Sequence, residues 1–418
     1  METLRFLMVS THFSPFSLGG DAIHVEYLSR ELVRNGHEVH VLHSPDAYRL
    51  LRKDPIANAR ESPNDGVIRH LHGSALGRAE PLLALTTGYS AKAARKLREL
   101  TNDLKPEVIH WHNTRGFLGR PEASPSVLSL YTAHDYYLVC PRSNLLRPSV
   151  RLCKRPELCQ LCVLRWRKPP QLWRAGRRRV VGIPSDFKVI SPSNFLANRL
   201  KQDGIAVDHV LGNFAPRPQQ GGGRRPSERD TILFLGLLEA HKGPRTLLEG
   251  FARSYDKQGF NLMIVGEGSL KARLRERTRV LGVEKRVEIP GYLSKPDLQG
   301  VLNRTASLAI PSEWYENCPL VVLEAFSNGI PVMGSEIGGL PELLTPEAGS
   351  LTFRSGDPDS IAKSMIETWD ERQNLEERSK KARDEYERRF SPEAFMAKYM
   401  SIIRGGYRAE PGNRLRFT

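Results

Sequence analysis

The chain has 418 residues, 39% of them apolar and 8% aromatic, enough to build hydrophobic cores and too many for a wholly disordered protein. At roughly 150 residues per domain, that length predicts two domains or three. Its 62 Lys and Arg against 47 Asp and Glu leave a net charge of +15, which favours anionic partners such as sugar nucleotides, phospholipid or nucleic acid without choosing among them.

The N-terminus, METLRFLMVSTHF, is too short in apolar residues for a signal peptide, and no later run approaches the ~20 residues of a spanning helix. A cytoplasmic location is expected, where thiols stay reduced, and an odd count of five cysteines fits poorly with a disulfide framework. In chain order, residues 4–10 read as a strand, followed by a Gly-rich turn and a helix over 22–35 that Asn35-Gly36 stops. Strands follow at 38–43, 108–112, 129–133 and 188–191, with a helix at 90–104 whose apolar positions are Ala91, Ala93, Ala94, Leu97 and Leu100.

Positive charge is concentrated within this half. Residues 138–182 hold 12 Lys or Arg and one acid, Glu157, with Trp166 and Trp173 among the cations. The plain reading is a solvated surface excursion. The sharper one is a docking patch for an anionic membrane surface, with cations on headgroups and Trp at the interface, which would place the protein peripherally on the inner face of the membrane. No nucleic-acid module accompanies the charge, so a nucleic-acid partner is not expected. Four of the cysteines, Cys140, Cys153, Cys159 and Cys162, fall in the same excursion and form a candidate structural zinc clip, unbound thiols being the alternative.

Residues 215–230, APRPQQGGGRRPSERD, read as a linker. A second βα series follows, with strands at 231–235, 261–265, 287–289, 307–310 and 331–334 and helices at 244–254, 269–281, 295–303 and 319–328. The tail is helical at 360–369, 375–389 and 392–404. Two βαβ series predict two doubly wound α/β domains with parallel sheets, spanning 1–214 and 231–390, with 391–418 crossing back to the first. Ligands in such sheets bind at the carboxyl ends of the strands, so a cleft between the two is the expected active site.

The stretch 311–342, PSEWYENCPLVVLEAFSNGIPVMGSEIGGLPE, carries the most chemistry. A strand ends near Ile310 and a helix starts near Pro319, a residue suited to the first helical position. The amides around Asn317, Cys318 and Leu320, with the helix dipole, would make an anion site. Glu316 lies just before that terminus and Glu324 in the second turn. Carboxylates beside a bound diphosphate are badly placed for phosphate but well placed to accept hydrogen bonds from sugar hydroxyls, and a nucleotide sugar offers both groups.

Glu316 and Glu324, with seven residues between them and AFSNGIPVMGSEIGGLPE following, closely resemble the signature of glycosyltransferase family 4, retaining enzymes of the GT-B fold. The resemblance implies that Glu316 contacts the donor sugar and Glu324 the ribose. LFLGLLEAHKG (233–243) is similar to the family's phosphate-binding strand and turn, which assigns Gly236 to the donor site and Lys242 to the diphosphate; the chain has Leu237 where the family usually has Arg. VGEGSLKARL (265–274), with Gly266, and IPGYL (289–293), with Gly291 and Tyr292, resemble the segments flanking the nucleobase pocket. HFSPFSLGGDAIHVEYLSREL (12–32) resembles the family's first loop, with Gly20 on the donor side and Gly19 on the acceptor side. YTAHDYYLVCP (131–141) has His134 at a strand end where the family pattern has a His, and the resemblance implies a catalytic residue next to the sugar and near the reacting carbon, with Asp135 and His112 on the acceptor side.

The resemblance implies transfer of a hexose from a nucleoside-diphosphate sugar to a hydroxyl acceptor, lipid-linked in many relatives, in polysaccharide, glycolipid or glycoconjugate biosynthesis. It requires no metal for catalysis. The alternatives are a sugar-nucleotide epimerase of the same fold and, from another class, a basic nucleic-acid-binding protein. A dinucleotide-dependent dehydrogenase is disfavoured because no G-x-G-x-x-G opens either βα series.

Overall fold

Short strands, most of them apolar runs of four to six residues and many followed by a helix, build two separate parallel sheets. The structure is a computed structural model that describes residues 3–51, 64–122, 127–148, 151–153, 159–174, 180–218 and 225–408. The chain divides into two units, one formed by the described residues up to Gly212 and from Met396 onward, the other by Asn213–Phe395.

In chain order the first unit contains β1 (Arg5–Val9), α1 (Gly19–Arg34), β2 (Glu38–His43), α2 (Pro45–Leu51), β3 (Ile68–Leu71), α3 (Ala79–Thr87), α4 (Ala91–Leu104), β4 (Val108–Trp111) and β5 (Leu128–Thr132). A hairpin of β6 (Leu146–Arg147) and β7 (Arg151–Leu152), then α5 (Cys159–Arg165), belong to the basic excursion. β8 (Lys188–Ser191), α6 (Asn194–Gln202) and β9 (His209–Val210) complete the unit. Its sheet runs β3-β2-β1-β4-β5-β8-β9, every pairing parallel. The central strands are buried on both faces, as β4 (VIHW) and β5 (LSLYT) show, which is why they read as continuous apolar runs rather than alternating ones. α4 is amphipathic: Ala93, Ala94, Leu97 and Leu100 are buried, and Ser90 caps it by accepting from the Ala93 amide at 3.2 Å. α1 starts three residues before the sequence predicts. Its N-cap, Leu18, offers no side-chain acceptor, so the usual start signal is missing from the sequence.

The second unit contains β10 (Thr231–Leu235), α7 (Pro244–Ser254), β11 (Asn261–Val265), α8 (Lys271–Val280), β12 (Val287–Gly291), α9 (Lys295–Arg304), β13 (Thr305–Ile310), α10 (Leu320–Ser327), β14 (Val332–Ser335), β15 (Leu351–Phe353), α11 (Pro358–Asp370) and α12 (Leu375–Glu385). A π-helical turn, Tyr386–Phe390, precedes α13 (Pro392–Arg408). The sheet order is β12-β11-β10-β13-β14-β15, again all parallel. Ile232, Phe234, Leu248, Phe251, Phe260 and Met365 form the centre of one core. Truncating Phe251, which is wholly buried, to Ala would remove about 3–5 kcal/mol.

Linker residues 215–218 are anchored within this unit. The Ala215 amide donates to Phe390 O at 3.1 Å, and the Arg217 guanidinium bonds both Glu387 and Glu393. Linker residues 219–224 lie outside the described residues. From Met396 onward α13 packs on the first unit, where the Tyr399 hydroxyl and His110 Nδ1 share a hydrogen bond of 2.8 Å.

Candidate functional site

In each sheet the winding reverses once, between β1 and β4 and between β10 and β13. The carboxyl ends of those strand pairs are where an open α/β sheet binds ligands.

In the second unit, a 3-10 turn after β10, Ala240–Lys242, brings Lys242 against the loop that follows β13. There Glu316, 6% exposed, receives three donors on Oε1: Lys242 Nζ at 2.7 Å, Trp314 Nε1 at 2.7 Å and Ser312 Oγ at 2.8 Å. The Lys242 ammonium also lies 4.8 Å from the centroid of the Trp314 ring. Burial would push the Glu316 carboxyl up, but the Lys242 charge and these hydrogen bonds outweigh it. The group is held below the usual carboxylate range and is anionic at neutral pH. Gly338 supports Glu316 from behind: its φ is +64°, and a Cβ there would sit 2.3 Å from the Glu316 carbonyl oxygen.

Glu324 is half-buried in α10. Pro319 is the N-cap of that helix rather than its first residue, so the first helical amide is that of Leu320. The buried Cys318 thiol is pushed up to about 12 by burial, and the Cys318 carbonyl accepts from Asn213 Nδ2 at 2.8 Å; what Cys318 can present is its backbone. Gly236, Gly266 and Gly291 stand at the carboxyl ends of β10, β11 and β12. The Gly266 amide donates to Gly291 O at 2.8 Å. With φ at +142°, Gly266 would place a Cβ 1.8 Å from Gly236 O, so the close approach of these strand ends requires glycine. Tyr292 is 79% exposed, and its amide donates to Glu267 Oε1 at 3.1 Å. Leu237, directly after Gly236, is exposed.

In the first unit, Gly19 and Gly20 are the first two residues of α1, His112 directly follows β4, and His134 lies two residues beyond β5. His112 Nδ1 and His134 Nε2 share a hydrogen bond of 2.9 Å. The His24 ring stands 5.1 Å from that of His134, and the His110 and His112 rings are 4.0 Å apart, centroid to centroid. His110 is held by the Tyr399 hydroxyl and Thr132 Oγ1, each at 2.8 Å. Burial keeps the set neutral, pushing His110, His112 and His134 well below the ordinary imidazole value and His24 to about 4. Asp135 Oδ1 accepts from the Tyr137 amide at 2.7 Å. Burial, then the neighbouring Asp21 carboxylate, push its carboxyl up to about 7, where it can exchange a proton at physiological pH. Asn113 Nδ2 donates to Asp21 Oδ2 at 2.9 Å.

Four residues in these clusters escape a motif search. Asp21 and His24 follow the Gly-Gly pair at helical spacing, which is a weak signal. Ser312 and Trp314 carry none, since their contacts to Glu316 depend on how a polar loop folds back on itself.

The excursion differs from expectation. Cys140, Cys153, Cys159 and Cys162 are each partly buried and in no disulfide, and among the described residues no group of three or more His, Cys, Asp or Glu is placed to hold a metal. The expected zinc clip is thus not seen among the described residues: burial, then the nearby Cys140 and Cys153, raise the Cys162 thiol, and Cys162 Sγ contacts Leu146 O at 3.9 Å. Nor is Arg174 a surface cation, since it is 1% exposed. Trp173 turns inward, its Nε1 donating to Leu85 O at 3.2 Å with the ring against Gly88. Trp166 is partly buried under the Arg142 guanidinium. Arg177, Arg178 and Arg179 lie outside the described residues.

Two family models match the chain: "Glycosyltransferase Family 4" over residues 18–211 and "Glycosyl transferases group 1" over residues 219–385. Among curated proteins, an uncharacterized glycosyltransferase of Methanocaldococcus jannaschii is 25% identical over 396 residues, covering 92% of this chain and 94% of that protein. A glycogen synthase of Mycobacterium tuberculosis is 24% identical over 414 residues, covering 91% and 89%. A D-inositol 3-phosphate glycosyltransferase of Corynebacterium diphtheriae is 28% identical over 398 residues, covering 89% and 88%. Among solved structures, sucrose-phosphate synthase from Thermosynechococcus elongatus superposes with a TM-score of 0.69 at 18% identity, covering 97% of this chain and 100% of that one. The Anabaena protein HepE, solved in complex with UDP-glucose, gives 0.64 at 14% identity, covering 96% and 100%. The two models follow one another along most of the chain, one on each parallel sheet, and the chain belongs to the group 1 glycosyltransferases, enzymes of the GT-B fold that transfer sugars.

Proposed function

We propose that the chain is a retaining hexosyltransferase that moves a hexose from a nucleoside-diphosphate sugar to a hydroxyl acceptor. Residues 231–390 take the donor and residues 1–214 the acceptor. The observation that carries this reading is the Glu316 carboxylate. All three of its described donors converge on Oε1, so Oε2 is the oxygen that meets a sugar hydroxyl. Lys242 and the first amides of α10 neutralise the departing diphosphate, in the manner of preorganised charge stabilisation, and Glu324 accepts from the ribose. The bond from the anomeric carbon to the phosphate oxygen breaks with its electron pair going to the diphosphate. The acceptor oxygen bonds the same carbon on the same face, and its proton leaves to the departing phosphate oxygen. His134 and Asp135 orient the sugar and the incoming hydroxyl. The complexes of HepE with UDP and with UDP-glucose support a nucleotide-sugar donor. Relatives named for glycogen synthesis and for colanic acid biosynthesis support a role in polysaccharide or glycoconjugate assembly.

The test is a thermal-shift panel of UDP, GDP, ADP and their hexoses, followed by detection of released nucleoside diphosphate. A ligand that binds the folded state alone adds ~2.7 kcal/mol at a hundred times its dissociation constant. A chain whose midpoint is raised by none of them, and which releases none, does not have this function.

A peripheral site of action on anionic membrane is favoured by one surface. Leu161, Leu164 and Leu172 are 52%, 51% and 63% exposed, interleaved with exposed Arg165, Arg167 and Lys168. Among the described residues no helix is long and apolar enough to cross a membrane. Sedimentation with phosphatidylglycerol vesicles, lost at high salt and in Leu161→Ser/Leu164→Ser, checks it; equal binding to zwitterionic vesicles refutes it.

A further inference from the structure

The basic excursion is stitched to the loop that carries His134 and Asp135. Arg174 and Gln171 are both 1% exposed. Arg174 donates from Nη1 to Tyr137 O at 2.8 Å and from Nη2 to Leu138 O at 3.3 Å, with its guanidinium carbon 5.3 Å from the centroid of the Tyr137 ring. Gln171 Nε2 donates to Pro141 O at 2.7 Å, and the Val181 amide to Leu138 O at 2.8 Å. The carbonyls of 137, 138 and 141, where the loop runs into the excursion, thus find their partners at its far end, in Gln171, Arg174 and Val181. Tyr137 is the hinge of the arrangement: its carbonyl accepts from Arg174 while its amide holds Asp135 Oδ1 at 2.7 Å. A guanidinium suits this place because its rigid planar fork is pre-organised to serve two successive carbonyls, whereas an ammonium is a compact point charge on a flexible stem. Burying such a charge is tolerable only where its hydrogen bonds are made. The far side is pinned too, because the Trp173 ring occupies the space where a Cβ on Gly88 would lie, 2.3 Å away.

We propose that Arg174 is a positioning residue for sugar transfer. Through Tyr137 it sets the orientation of Asp135 and the path of the chain beyond His134, so that the excursion acts as a brace for the active-site loop. This rests on the reading of His134 and Asp135 as residues of the transferase site. The brace acts on unit-one geometry and not on donor binding, which Lys242, Glu316 and Glu324 perform. Displacements of about 1 Å at a reacting group remove up to about 100-fold in rate.

The experiment compares wild type, Arg174→Met, Arg174→Lys and Gln171→Leu in the full chain. The probe is whichever UDP-, GDP- or ADP-hexose wild type turns over fastest, read as nucleoside diphosphate released. Hydrogen exchange of peptides covering 134–141 is read in parallel. Expected are a kcat loss of about 10- to 100-fold in Arg174→Met with donor KM within about twofold, partial recovery in Arg174→Lys, and faster exchange in 136–141. A folded Arg174→Met with wild-type kcat, or with KM rising in step with the loss of kcat, overturns the proposal. If Arg174→Met does not fold, Gln171→Leu decides: wild-type kcat there overturns it, and a lowered kcat at unchanged KM supports it. If wild type turns over none of the probes, the transferase reading fails instead; unchanged exchange of 136–141 in Arg174→Met then overturns the brace independently.

Discussion

Replacing Lys242 by Met tests the ion pair at the centre of the donor unit. The variant keeps the aliphatic stem and removes the ammonium that lies 2.7 Å from Glu316 Oε1. Deleting one partner of a buried pair costs about 3–5 kcal/mol. Here the Lys242 side chain is 23% exposed and Ser312 and Trp314 still donate to the carboxylate, so about 2 kcal/mol is expected. For a unit of this size that lowers the melting midpoint by about 4–8 °C at pH 7. The sign of the pH dependence follows. In wild type the Glu316 carboxyl lies below its unfolded value, so its contribution is present above about 4.5 and fades as pH falls through the folded value. In Lys242→Met burial dominates, the carboxyl rises above its unfolded value, and the deficit shrinks as pH is lowered toward 5. Glu316→Gln in the same chain should recover most of the loss, in a double-mutant cycle followed by calorimetry. The two single variants should part company on ligand. Lys242→Met loses about 1.5–3 kcal/mol of nucleoside-diphosphate affinity, roughly 10- to 100-fold. Glu316→Gln, which releases Lys242 from its partner, binds at least as tightly as wild type while losing turnover. A Lys242→Met protein that melts with wild type at both pH values and binds the diphosphate normally would refute the reasoning.

Trp314→Phe keeps the ring over Lys242 but removes the indole donor to Glu316; kcat should fall about tenfold with donor KM little changed, and a proportional rise in KM would remove Trp314 from the positioning of Glu316. Glu324→Ala should weaken nucleoside-diphosphate binding by roughly 10- to 100-fold by calorimetry, and unchanged affinity in a folded protein would end the ribose assignment. The first unit should be acid-labile. His24, His43, His110 and His112 are kept neutral by burial, below the unfolded value of 6.5, so their contribution is full above that pH. Each loses about 1.4 kcal/mol per pH unit below it. A melting midpoint equal at pH 7.5 and pH 5 would show that these rings are solvated.

The fold class was legible in the sequence because parallel strands buried on both faces are continuous apolar runs. TILFL, NLMIV and TASLAI announce themselves, and the helices between them show a buried face. The spacing of Glu316 and Glu324, with the glycines after them, was legible as well, since it is local: one strand end, one turn and one helix. Elements with weak local signals were not. β3 is a largely exposed edge strand of four residues, β15 has three, and α1 begins without a capping side chain. Tertiary structure decided what no local pattern encodes. It joined Lys242 to Glu316 across 74 residues and His112 to His134 across 22, because adjacent parallel strands deliver their carboxyl ends to one place whatever the length of chain between them. It also decided the fate of individual charges in the excursion. Sequence counts Arg174 as one cation among twelve, yet its environment is set by carbonyls 36 and 37 residues away, and their need for donors draws it inside.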